Sequence, residues 1–195
     1  MQLNEDEIKK LKERVADYLK KGIFSKGDSK FVDFFILNSK NSLESAKLLF
    51  EASTNEEVKK DLGVAEFNGF LWVINASYYS MFYLARALLE SKGIKIKRGE
   101  SSIHLLTLDA FIYHFYLTGA LKKKIIEDFG ESMDESSQSL GDQRAKEIIE
   151  DYSNEKYKRG LYTYEMGINA LRNKAQTSLE RAKRFSDDLR KILGL

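Results

Sequence analysis

The sequence predicts an all-α fold, an antiparallel up-and-down bundle of four to five main helices plus short ones. Three observations predict it. Apolar residues recur three and four apart through most of the 195 residues, the pattern of helices that bury one stripe. No run alternates with a period of two, and Ile94-Lys95-Ile96 is the only strand-like fragment. Proline is absent, so glycines and capping residues alone punctuate the chain. With 43% hydrophobic and 32% charged residues, a single domain over 1–195 is the expectation, with 1–22 an N-terminal helical extension.

Asn4 three residues before Glu7 has the form of a capping box, and Ile8, Leu11, Val15, Tyr18 and Leu19 follow at helical spacing up to Gly22. The polar link 25–29 leads to a second helix, whose face Phe31, Phe35, Asn38, Ser42, Ala46, Leu49 and Ser53 grows progressively smaller and suits close packing. Thr54 and Glu57 suggest a cap for a short helix that Gly63 ends. A central helix is expected from about Ala65, running through Trp72 to Gly93. Leu71, Ile74, Tyr78, Met81, Ala85 and Leu88 form its apolar stripe, with the more polar Asn75, Tyr79, Phe82 and Arg86 beside it. Ala76, Ser80 and Ala87 leave a third side open to a neighbouring backbone. A helix contacted on nearly every side is the pivot of the fold.

Its exit, KGIKIKRGESS, holds two glycines and four basic residues, and Ser101 or Ser102 is placed to cap the next helix, Ile103 to Gly119. A shorter helix is expected from Ala120 to Phe129, then a polar surface loop over 130–142, then helix again from Gln143 to about Tyr152. The segment 153–162 is a second basic and aromatic connection. From Tyr164, the residues Ile168, Leu171, Ala175, Ser178, Ala182, Phe185, Leu189 and Ile192 form the seam of a long terminal helix.

With 32 basic against 30 acidic residues the net charge is +2, so no global field favours nucleic acid or a membrane, and any preference must come from local patches. No uncharged apolar run is long enough to span a bilayer, and the acidic, polar start carries no signal-peptide core, so a cytoplasmic protein is expected. The absence of cysteine removes disulfides, thiolate metal sites and cysteine nucleophiles. His104 and His114, ten residues apart on one helix, are about 15 Å apart along it and cannot share a metal. Glu127, Asp128, Glu131, Asp134 and Glu135 lack the spacing of a calcium loop and read as a solvated acidic face. Neither a phosphate-cradling loop nor a nucleophile elbow is present. No metal or other cofactor is expected.

Two basic stretches rise above this background. Lys95, Lys97 and Arg98 precede His104 at a helix start, where free backbone N–H groups favour an anion such as phosphate. Lys156, Lys158 and Arg159 alternate with Tyr157, Tyr162 and Tyr164, cations with rings that can stack on bases. For both stretches the plainer reading is an exposed connection between helices. Arg86, a guanidinium inside an apolar helix, requires an acceptor or a route to water, and Asp151 is a candidate acceptor.

The run Asn75-Ala-Ser-Tyr-Tyr-Ser-Met-Phe-Tyr-Leu-Ala-Arg-Ala-Leu-Leu89 resembles the signature helix of HEPN domains, the higher eukaryotic and prokaryotic nucleotide-binding family. Gly93, His104, the aromatic Phe111 to Phe115, Thr118-Gly119-Ala120-Leu121 and the terminal helix resemble further family elements in the family's order over roughly 30–193, and Arg144 with Asp151 and Tyr152 resembles another only in part, its spacing stretched. The resemblance implies a homodimeric helical bundle in a prokaryotic, toxin-antitoxin-like system, often beside a nucleotidyltransferase partner. Many relatives are metal-independent ribonucleases using an Arg and a His separated by four to six residues, and Arg98 and His104 have five between them. Gly99, however, stands where such enzymes carry a polar residue, and the branch with Tyr-Tyr-x-Met-Phe generally lacks the catalytic pair. The leading expectation is therefore a non-catalytic module that binds a nucleotide, an RNA or a nucleotidyltransferase through Asn75, Tyr79, Arg86, Lys95, Lys97, Arg98, His104, Lys156 and Arg159. A ribonuclease using Arg98 and His104, and a purely structural interaction protein, are the alternatives.

Overall fold

A computed structural model describes the backbone of residues 4–97, 103–150 and 160–195, and the side chains of 4–97, 103–139 and 171–195. Within them the chain forms an all-α bundle. The helices are α1 (Glu5–Lys20), α2 (Val32–Thr54), α3 (Glu56–Leu62), α4 (Phe70–Ser91), α5 (Ile103–Phe111), α6 (Lys123–Glu150) and α7 (Gly160–Leu193). A π-helical turn, Ile112–Tyr116, continues α5. Among the described residues no helix is long and apolar enough to cross a membrane.

Asn4 caps α1 as its spacing predicts, its side chain accepting a hydrogen bond from Glu7 N–H at 2.9 Å. The cap of α3 is Asn55 rather than Thr54: the Asn55 Oδ1 accepts from Glu57 and Val58, while the Thr54 hydroxyl donates to the Phe50 carbonyl within α2. An amide oxygen reaches the open N–H groups without leaving its own backbone, whereas Thr54 is still helical. Gly63 ends α3 in the left-handed conformation, φ 69°.

The bundle's register is legible in its hydroxyl contacts. Ser39 Oγ donates to the Ser80 carbonyl at 2.8 Å, and Ser53 Oγ accepts from Gly69 N–H at 2.8 Å, so α2 runs antiparallel to α4. Ser136 Oγ donates to Asn75 Oδ1 at 2.6 Å, while Tyr78 stacks on Phe129, which sets α6 antiparallel to α4. Ser178 against Glu135 and Phe185 against Phe129 do the same for α6 and α7. Helix α4 therefore touches α2, α6 and α7 together and occupies the centre, with fifteen buried residues. Leu11 and Val15 bring α1 into the same core as Tyr78, Leu88, Phe111, Phe129 and Phe185.

Four local expectations change. The polar segment 130–142 lies within α6 rather than in a loop, because its small Ser132 and Ser136 are buried where α6 meets the bundle. The link after α1 contains a strand, β1 (Phe24–Lys26), which pairs antiparallel with β2 (Ile94–Ile96), Phe24 opposite Ile96 and Lys26 opposite Ile94. Ile192, read as the end of the α7 seam, is 43% exposed. The start of α4 is Phe70, five residues beyond the expected Ala65.

Candidate functional site

Helix α4 ends at Ser91, and Gly93 turns the chain with φ 72°, its carbonyl accepting from Gly27 N–H at 2.8 Å. The turn sends β2 back along β1. Ile96 is buried in the core, and Lys95 lines a cavity of about 410 Å³ together with Arg86, Glu90, Phe31, Phe34 and Phe35. Because α2 and α4 are antiparallel, the start of α2 supplies the phenylalanines and the end of α4 supplies Arg86 and Glu90. The Arg86 guanidinium lies over the Phe35 ring, 4.9 Å from its centroid, a cation–π contact that holds the charge at the cavity wall.

Glu90 was not a candidate on sequence grounds, although its position carried a signal. A carboxylate in the last turn of a helix faces the negative end of the backbone dipole. Here it is also 2% exposed, and its Oε1 has no hydrogen-bond partner among the described residues. Its own carbonyl accepts from Ser29 Oγ at 3.0 Å.

The other predicted residues lie elsewhere. Asn75 is buried, its Nδ2 donating to the Leu71 carbonyl at 2.9 Å and its Oδ1 accepting from Ser136, so its amide ties α4 to α6. Tyr79 lines a second, wider groove with Asn38, Asn41, Ser42, Trp72 and Tyr83. His104 sits in the first turn of α5, with its Nδ1 2.7 Å from the Tyr78 hydroxyl and its ring 4.6 Å from that of Phe82. Burial lowers the His104 pKa and raises that of Tyr78, to which the neighbouring Tyr79 adds. Lys97 follows β2, and its backbone N–H donates to Ile23. Arg98, Asp151, Lys156 and Arg159 lie outside the described residues, as do the capping serines 101 and 102.

The acidic stretch is not simply a solvated face. Arg181 of α7 is 7% exposed and meets Glu135 at 2.8 Å, Glu131 at 3.1 Å and Asp128 at 3.7 Å, while Lys124 reaches Asp128 at 2.8 Å. Spacing of three and four residues puts the carboxylates on one side of α6, facing the guanidinium. Asp109, 1% exposed, accepts two bonds of 2.8 Å from Arg14 and a longer one from Tyr18. Among the described residues no group of three His, Cys, Asp or Glu is placed to hold a metal.

The described residues define an all-α bundle with a charged, aromatic-walled cavity at the junction of α2, α4 and β2. No protein-family model, curated protein or solved structure matches the chain.

Proposed function

We propose that this protein is a non-catalytic, HEPN-like helical module that binds a nucleotide or an RNA element. The observation that carries the reading is the placement of Arg86 and Lys95 beside three phenylalanine rings in one cavity. Guanidinium and ammonium groups hold phosphate oxygens, and rings receive the face of a base. The remaining charge is nearly balanced, so this local pair has to supply the attraction. Exposed Leu37, Leu48 and Trp72 on α2 and α4 support a homodimer or a nucleotidyltransferase partner as the cover for that side. Thermal denaturation with mononucleotides and single-stranded RNA tests the binding: a salt-sensitive rise in melting temperature is expected, lost in Arg86→Ala with Lys95→Ala. No rise with any of these ligands would refute it.

One observation favours a second reading, a metal-independent ribonuclease. The Tyr78 hydroxyl holds His104 at Nδ1 and leaves Nε2 for proton transfer, and burial keeps the ring neutral near pH 7. Cleavage of structured RNA in EDTA, lost in His104→Ala, is the outcome that reading requires.

A further inference from the structure

The outward face of α2 is arranged symmetrically about its own midpoint. Phe34, Leu37, Asn41, Ser45 and Leu48 follow one another three or four residues apart and so share one side of the helix. Phe34, Leu37 and Leu48 are 55%, 56% and 70% exposed, with Asn41 and Ser45 exposed between them. Phe34 and Leu48 each stand seven residues from Asn41, and Leu37 and Ser45 each stand four from it. An antiparallel copy of the same helix, crossing at Asn41, therefore sets Phe34 against Leu48, Leu37 against Ser45 and the Asn41 amide against its own image. A side-chain amide both donates and accepts, so two of them pair across a two-fold axis.

The charges beside the stripe fit the same register. Asp33, Lys40, Glu44, Lys47 and Glu51 are exposed along one flank of it. Antiparallel pairing about Asn41 brings Lys47 within two residues, about 3 Å along the axis, of the partner's Asp33, and Lys40 equally near the partner's Glu44. Glu51 falls beside the partner's Lys30. The two copies of Lys40 also approach each other, with a Glu44 beside each. Parallel pairing would instead set every charge against its own image. The stripe itself is uncharged and its flank holds three acids against two bases, so this side has no attraction for phosphate or an anionic membrane. Charges that complement themselves under a two-fold axis call for a second copy of this chain. Exposed Trp72 and Tyr79, on the groove that Asn41 and Ser45 also line, extend the apolar area on that side.

We propose that α2 is an isologous dimer interface, two copies packing antiparallel about Asn41 with Leu48 of each seated on Phe34 of the other. Phe34 also lines the cavity of about 410 Å³, so the partner's Leu48 stands at its mouth and each cavity is bounded by both copies. The proposal rests on the homodimer in the reading above and names its surface.

The chain has no cysteine, so single introduced cysteines report the register. In the full chain, Asn41→Cys is expected to form a disulfide-linked dimer under air oxidation. An equimolar mixture of Phe34→Cys and Leu48→Cys chains should cross-link as well, whereas neither of these two should do so alone. Sedimentation equilibrium of the unmodified chain should give twice the monomer mass. Leu48→Glu, at a position 70% exposed and so outside the core, should weaken dimerisation at least about tenfold. A chain that stays monomeric up to about 1 mM overturns both this interface and the homodimer, and leaves nucleotide binding to its own test. A dimer in which Asn41→Cys does not cross-link, or which Leu48→Glu leaves intact, overturns this surface alone. Phe34→Cys chains that link to themselves as readily as to Leu48→Cys chains also overturn it, because that is the signature of parallel pairing.

Discussion

The α6–α7 junction and the α2–α4–β2 junction both bury charge, and they do so in opposite ways. At the α6–α7 junction the Arg181 guanidinium meets three carboxylates, with Ser178 donating to Glu135 and Lys124 pairing with Asp128. At the α2–α4–β2 junction Glu90 is buried at least as deeply, yet its Oε1 has no donor. In the first region every carboxylate has a cation beside it, although Asp128 Oδ1 also makes no hydrogen bond among the described residues. The second has a requirement that the described chain does not meet, and this marks it as the candidate for binding a ligand.

The contrast makes four expectations, from large to small. Arg181→Met should lower unfolding free energy by about 3 kcal/mol in urea denaturation, since it leaves buried Asp128 with Lys124 alone and the partly exposed Glu131 and Glu135 without their cation. A loss below about 1 kcal/mol would mean that the network is mostly solvated, and the comparison would break. Tyr78→Phe leaves His104 Nδ1 without its partner and should cost about 1 kcal/mol by the same measurement, with the His104 NMR titration curve displaced. Glu90→Gln should move stability the other way, leaving it unchanged or raised by up to about 1 kcal/mol, because a buried carboxyl oxygen without a donor among the described residues is exchanged for an amide. If that variant is markedly less stable, Glu90 already has a partner and the two regions are alike.

The smallest effect follows from pH. Burial holds both His104 and His114 below the usual histidine value, so the unfolded chain binds protons more readily between the two pKa values. Their contribution is fully present above about pH 6.5 and declines as the pH falls through the folded-state value. Urea midpoints should therefore drop between pH 7.5 and 5.5, and by less in His114→Gln. Carboxylates titrate mainly below this window, so the drop leaves the contrast between the two regions intact.

Much of the fold is readable in the sequence where a local rule determines it. Asn4 caps because its side chain is the right length, and Tyr78, Met81 and Leu88 are buried because their spacing puts them on one stripe. The readings that changed depended on distant partners. Ser132 and Ser136 look like loop residues until α4 and α7 supply contacts that only small side chains admit. Phe24 to Lys26 is too short to announce a strand until Ile94 to Ile96 lies beside it. The site divides in the same way. Arg86 and Lys95 stood out as cations in apolar or strand-like surroundings, whereas Glu90, flanked by Leu89 and Ser91, drew notice only once its burial was visible. Asn75 and Tyr79 share a stripe with Arg86, but they open toward other neighbours farther along α4.

The hydroxyl contacts between α2 and α4 have a mechanical consequence. Ser39 and Ser53 join the two helices through backbone groups, at Ser80 and Gly69, so their spacing is set by main chain rather than by adaptable side-chain packing. The two walls of the cavity belong to these same helices and thus behave as one stiff piece. A ligand bound between them, on the reading proposed above, would meet walls already held in place and lose little ordering entropy there. Loosening that seam, far from the cavity, would then weaken such binding without changing any residue that lines the cavity.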